Sequence, residues 1–122
     1  MCDKFSEKSC SILHHLYQVI EMRRENLPSD SYTTSLFQGG IEKIVAKFSE
    51  ESQELIEAST AFTSESEAKA NTAHIIHEAA DLMYHFLVLL ASRHVTLQDV
   101  EQELAKRFGT SGLTEKNARE KT

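Results

Sequence analysis

The sequence predicts an all-α fold, a helical bundle of about four helices completed by homodimerisation, and three observations carry that expectation. The 122 residues include one proline and four glycines, too few for the many turns of an all-β sandwich or barrel. Apolar residues recur at helical spacing through most of the chain. The stretch LMYHFLVLLA, from Leu82 to Ala91, is apolar almost all round. A helix of that kind is normally buried on more than one side, and a chain this small rarely covers it alone, so self-association is implied. At 13.8 kDa there is little room for a second core. Residues 1–122 therefore read as one domain, with a core over about 12–108 and a polar tail over 109–122.

The elements follow in order. Leu13, Leu16, Ile20 and Leu27, with Tyr17 alongside, predict a first helix from about Ile12 to Glu25 that Pro28 and Ser29 stop. NLPSDSYTTS reads as a polar connection rich in N-cap candidates. A second helix, about Leu36 to Phe62, carries Ile41, Ile44, Val45, Phe48, Leu55 and Ile56, and Gly39 and Gly40 mark either a bend or its true start. Ser64 and Glu67 have capping-box spacing before a third helix from about Ser66 to Arg93. Thr96 and Asp99 repeat that spacing and open a short fourth helix, which Gly109 stops near Phe108.

Charge and cysteine usage narrow the function. With 19 acidic against 13 basic residues the net charge is −6, opposite to the footprint of a nucleic-acid binder, so no nucleic-acid partner is expected. Cys2 and Cys10 both lie in the first ten residues, where a bridge would staple only a terminal loop. They read as free thiols in a reducing compartment. MCDKFSEKSC lacks the apolar run of a signal peptide, and no stretch approaches about 18 consecutive apolar residues. A cytoplasmic protein with no membrane partner is the expectation.

Chemistry concentrates in carboxylates on two helices. At about 100° per residue with Ile41 at zero, Phe48 and Leu55 fall at about 340° and about 320°, and Glu51 and Glu54 at about 280° and about 220°. With Ile75 at zero in the third helix, Leu82 and Leu89 fall at about 340° and about 320°, and Glu78 and Asp81 at about 300° and about 240°. Each helix thus sets two carboxylates one turn apart on the flank of its core face. The pattern is Glu-Glu-x-x-Glu from Glu50 to Glu54 on one helix and Glu-x-x-Asp from Glu78 to Asp81 on the next. In an antiparallel hairpin the pairs converge, and such a group repels itself and loses hydration unless a cation counters it. An all-oxygen site suits a hard cation, and Mg²⁺ typically adds waters and substrate phosphates to one or two protein carboxylates. The bland alternative is a solvated face with Lys43 and Lys47 as helical ion-pair partners.

His74, His77 and His85 share a broad arc with Asp81, which makes a mixed transition-metal site conceivable. A ferritin-like di-metal bundle, however, requires two Glu-x-x-His pairs that no helix here supplies in the needed arrangement. His85 alone reads as a hydrogen-bonded, half-buried residue, Tyr84 as an interface residue, and His14, His15 and His94 as surface residues. The sequence has no Gly-rich phosphate loop, nucleophile elbow or Cys and His pairing of a thiol protease.

The paired carboxylate motif resembles the signature of the all-α nucleoside triphosphate pyrophosphohydrolases, the superfamily that includes MazG-type enzymes. SYTTSLFQGG from Ser31, KIVAKFSEESQE from Lys43 and EAADLMYHFLVLLA from Glu78 are more specific. Together they resemble the phosphoribosyl-ATP pyrophosphohydrolase family of histidine biosynthesis in its stand-alone form. The likeness runs from about Leu13 to Phe108, and RFGTSGL extends it into the tail. It implies Mg²⁺-dependent hydrolysis of phosphoribosyl-ATP to phosphoribosyl-AMP and pyrophosphate by a homodimer. It further implies Glu51, Glu54, Glu78 and Asp81 as metal ligands, with Glu50 joining them or orienting the attacking water. Lys47, with Lys43 and Arg23, would hold phosphates, and Ser31, Tyr32 and Thr33 would contribute to substrate binding. Ser49 departs from the family pattern, which has Gly before the Glu pair; Ser suits a helix interior slightly better, so no loss of activity is expected. A house-cleaning pyrophosphohydrolase of ordinary or damaged nucleotides would share the carboxylates without needing the SYT segment. A helical dimerisation module without activity would need neither.

Overall fold

A computed structural model describes residues 11–61 and 64–108; Cys2, Cys10, Phe62 and the tail 109–122 lie outside them. Helix α1, Ile12–Asn26, begins where the Ser11 side chain accepts the His14 N–H at 3.4 Å. It ends at Leu27, whose left-handed backbone (φ 48°) turns its N–H back to the Arg23 carbonyl at 2.8 Å. Pro28 therefore follows a helix that has already stopped.

Helix α2, Tyr32–Thr60, starts one turn before the expected Leu36. The Ser31 hydroxyl accepts the Thr34 N–H at 3.2 Å, so YTTS forms the first helical turn rather than the end of a polar loop. Composition misleads here because Thr33 and Thr34 are buried, only 1% and 3% exposed. Within α2 the backbone of Gly40 leaves the helical region altogether, at φ 83° and ψ 177°. The glycine pair is thus a bend, separating a short N-terminal piece from a long C-terminal one.

A 3₁₀ turn at Glu65–Glu67, closed by the expected Ser64 and Glu67 capping box, leads into helix α3, Ala68–Ser92. Helix α4, Leu97–Lys106, opens with the Thr96 hydroxyl accepting the Asp99 N–H at 3.0 Å. Its last helical residue is Lys106, capped by Arg107, close to the expected end near Phe108. The described residues are all-helical, with four α-helices and no strand.

The long piece of α2 and α3 pack antiparallel: Phe48 meets Phe86 at 6.3 Å between ring centroids, while Glu51 lies further along against Glu78. Helix α1 packs on both. Ile20, Leu36, Leu87, Val88 and Ala91 are fully buried, joined by Tyr17, Ile44 and Leu97. The Tyr17 hydroxyl donates to the Val95 carbonyl at 2.6 Å, tying α1 to the loop before α4. His14, read as a surface residue, is half-buried and pairs with Glu101 of α4 at 2.7 Å. The segment Glu65–Ser92 is long and apolar enough to span a membrane by length and composition, which a count of consecutive apolar residues does not anticipate. In this fold it is the central helix, with Glu78 and Asp81 at its midpoint.

The buried line of α2 also differs from the expected one. Ile44, Glu51 and Ala58, at heptad spacing, are 2%, 7% and 3% exposed, whereas Ile41 is 41% exposed. Bending at Gly40 frees the long piece to rotate about its axis, so Glu51 falls in the centre of the seam and not on its flank.

Adding a Cβ to Gly40 meets no atom, so the Gly40→Ala substitution tests backbone conformation alone. Its φ and ψ lie in a region that is essentially glycine-only. Gly40→Ala is expected to lower unfolding free energy by about 1–3 kcal/mol, read from urea denaturation.

Candidate active site

The packing of α2 on α3 brings the expected carboxylates together. Glu50, Glu51 and Glu54 each place an oxygen within 4.8 Å of the others, and so do Glu51, Glu78 and Asp81, with Glu51 common to both groups. Glu51 and Glu78 are each 7% exposed. One oxygen of each, Oε1, is buried and has no hydrogen-bond partner among the described residues. Leaving a buried polar atom unpaired costs about 1–3 kcal/mol, and more when it is charged. The Glu51 charge, followed by a hydrogen bond to Glu78, holds the Glu54 carboxyl above the usual carboxylate range.

Basic side chains stand at the rim. Lys47 Nζ is 2.9 Å from Glu50 and 3.8 Å from Glu51, and the Glu50 hydrogen bond holds the ammonium above its ordinary range. His74 and His77, both exposed, lie 3.7 Å and 3.2 Å from Glu78 and Asp81. These outer groups leave the inward-facing oxygens unsatisfied. A hard divalent cation would find there an all-oxygen donor set with two orphaned atoms, which fits the preference of Mg²⁺ for carboxylate oxygens.

The other expected site residues are placed in different ways. Ser31 caps α2, and its hydroxyl is engaged by the Thr34 N–H. Tyr32 remains half exposed, and its hydroxyl lies 3.1 Å from His85 Nε2. Thr33 is buried and hydrogen-bonds the Tyr84 hydroxyl. Arg23 is exposed on the last turn of α1, near enough to Tyr84 for its charge to bear on that hydroxyl. Lys43 reaches the Ser35 carbonyl at 3.4 Å, across the bend, and makes no ion pair with the carboxylates among the described contacts.

Two residues that sequence reasoning set aside belong to these surroundings. Tyr84 stacks on Tyr32 with ring centroids 6.1 Å apart, and burial pushes its hydroxyl pKa up. His85 is not half-buried but 6% exposed, wedged edge-on against both rings. The signal that could have found them is position: Tyr84 and His85 lie one turn beyond Asp81 on the same helix.

Comparison with known proteins covers most of the chain. The family model for phosphoribosyl-ATP pyrophosphohydrolase matches residues 13–108. A relative from Trichlorobacter lovleyi named phosphoribosyl-ATP pyrophosphatase is 45% identical over 108 residues, 88% of this chain and 93% of its own. One of the same name from Ruegeria pomeroyi is 46% identical over 112 residues, 91% of this chain and 98% of its own. A third, from Rhodopirellula baltica, is 45% identical over 107 residues, covering 88% and 85%.

Neutralising one of two buried, mutually repelling carboxylates should relieve the cation-free protein. Glu78→Gln is expected to raise unfolding free energy without divalent cations by on the order of 1 kcal/mol. Added Mg²⁺ is expected to stabilise the unmodified chain and to give this variant much less, both effects being read by thermal denaturation.

Proposed function

Because the chain belongs to the phosphoribosyl-ATP pyrophosphohydrolase family, we propose that it hydrolyses phosphoribosyl-ATP to phosphoribosyl-AMP and pyrophosphate with Mg²⁺, the second step of histidine biosynthesis. The observation that carries this reading is the facing pair of buried glutamates, Glu51 and Glu78, each with an unpartnered inward oxygen. Glu51, Glu54, Glu78 and Asp81 would hold the cation. When bound, Mg²⁺ neutralises charge on the diphosphate oxygens and on the departing pyrophosphate.

The chain's own residues do the rest. Glu50, exposed beside the ligand set and paired with Lys47 at 2.9 Å, would orient a water and take its proton. The water oxygen then bonds to phosphorus while the anhydride P–O bond breaks in line, and pyrophosphate leaves with the bonding pair. Lys47 releases Glu50 to meet a phosphate as a point charge on a flexible stem. Arg23 offers a second cation on α1, suited to a substrate with anionic groups at both ends. No covalent enzyme intermediate is required.

A second copy completes this reading, acting in the cytoplasm as an enzyme of amino-acid biosynthesis. Ile41, Val45 and Ile56 are 41%, 48% and 53% exposed, and they lie within about 60° of one another around α2. Ile76 and Met83, at heptad spacing on α3, are 63% and 37% exposed. Apolar faces of this kind on the two central helices favour association.

The test is an assay with phosphoribosyl-ATP beside a panel of nucleoside triphosphates, with and without Mg²⁺. Glu51→Gln and Asp81→Asn are each expected to lower pyrophosphate release by about 100-fold or more while helical circular dichroism is unchanged. Undiminished turnover in either variant counts heavily against the site, and preference for a common triphosphate against the substrate. Size-exclusion chromatography should give a dimer that Val45→Glu dissociates; a 13.8 kDa species from the unmodified chain contradicts the association.

A further inference from the structure

His85 stands one turn beyond Asp81, buried and outside the carboxylate cluster. Its Nδ1 is 2.9 Å from the Asp81 backbone carbonyl. A carbonyl oxygen only accepts, so Nδ1 carries a proton, and in the neutral ring Nε2 is then an acceptor. That acceptor lies 3.1 Å from the Tyr32 hydroxyl, which therefore donates to it. Tyr32 is held a second time by stacking on Tyr84, with planes inclined at 26°. Tyr84 in turn is hydrogen-bonded to Thr33.

The consequence is an unusual surface residue. Tyr32 is 51% exposed, yet its ring is pinned at the hydroxyl and backed on one side. A free aromatic side chain must be ordered when it binds, which costs affinity; a pinned one is ordered beforehand. Every nucleobase has a face that stacks on such a ring. The pin runs from the backbone of Asp81, so the ring is referenced to the helix that bears two of the proposed metal ligands.

We propose that His85 is a positioning residue, which by accepting the Tyr32 O–H holds the Tyr32 ring as a stacking platform for the purine base of the substrate. The identity of that base rests on the function proposed above; the pinning does not. Asparagine at position 85 retains a donor near Nδ1 but nothing at Nε2, whereas glutamine places an amide oxygen where Nε2 lies.

His85→Asn is expected to raise KM for phosphoribosyl-ATP about fivefold, the size of the cost of ordering one free side chain, with kcat within about twofold. His85→Gln should restore most of the loss. Tyr32→Phe should match His85→Asn, and the double variant should be no worse than either single one. Mg²⁺ affinity by calorimetry should stay the same in all of them. Equal effects of Asn and Gln, additive losses in the double variant, or a fall in kcat at unchanged KM overturn the proposal. Should substitutions at His85 prevent folding, Tyr32→Phe at its exposed ring still decides, an unchanged KM refuting the pin. Calorimetric titration with a non-hydrolysable ATP analogue separates the two readings. Binding weakened about fivefold by Tyr32→Phe, in a chain that does not hydrolyse phosphoribosyl-ATP, rejects the substrate and keeps the pin. Equal analogue binding by the unmodified chain and Tyr32→Phe rejects the pin.

Discussion

The arrangement of this site depends on the backbone at Gly40. A straight α2 would carry Thr33 about 27 Å along its axis from Glu51, far from any shared ligand. With φ at 83°, the chain instead turns the first two helical turns back so that Thr33 meets Tyr84 and Tyr32 meets His85. Both partners lie within four residues of Asp81. Lys43 spans the break to the Ser35 carbonyl, placing a cation beside a backbone acceptor at the bend. One glycine thereby joins a polar N-terminal turn to a carboxylate cluster several helical turns away in sequence.

The second organising element is charge buried where a bundle would ordinarily place leucine. Glu51 continues the line of Ile44 and Ala58, and Glu78 faces it from α3. Taking such a cluster out of water without supplying a counter-charge is costly, and Lys47, 3.8 Å from Glu51, leaves the buried oxygens of Glu51 and Glu78 without a partner among the described residues. Stability resides instead toward the bend, where Ile20, Leu36, Leu87, Val88 and Ala91 are completely buried. The bundle thus divides its length into an apolar portion that holds the fold and a polar portion that carries the buried carboxylates, a common compromise between stability and function.

The aromatic group between these portions links them. Tyr17, Tyr84 and Tyr32 each use the hydroxyl to bond a different element: the loop before α4, the first turn of α2, and His85 of α3. A buried phenol needs a partner, so each ring contributes packing and direction together. That is why Tyr32 can be half exposed and still held.

Much of this was legible in the residues themselves. Helical periodicity, the Ser64–Glu67 and Thr96–Asp99 caps and the glycine pair located the elements, because these signals act within one or two turns. The spacing of Glu51, Glu54, Glu78 and Asp81 identified the carboxylates for the same reason. The start of α2, the centring of Glu51 in the seam, the direction of Lys43 and the partnership of Tyr32 with His85 were decided only by tertiary structure. Each depends on how a helix rotates and bends against its neighbour once Gly40 leaves the helical region, and a single helix's periodicity carries no information about that angle.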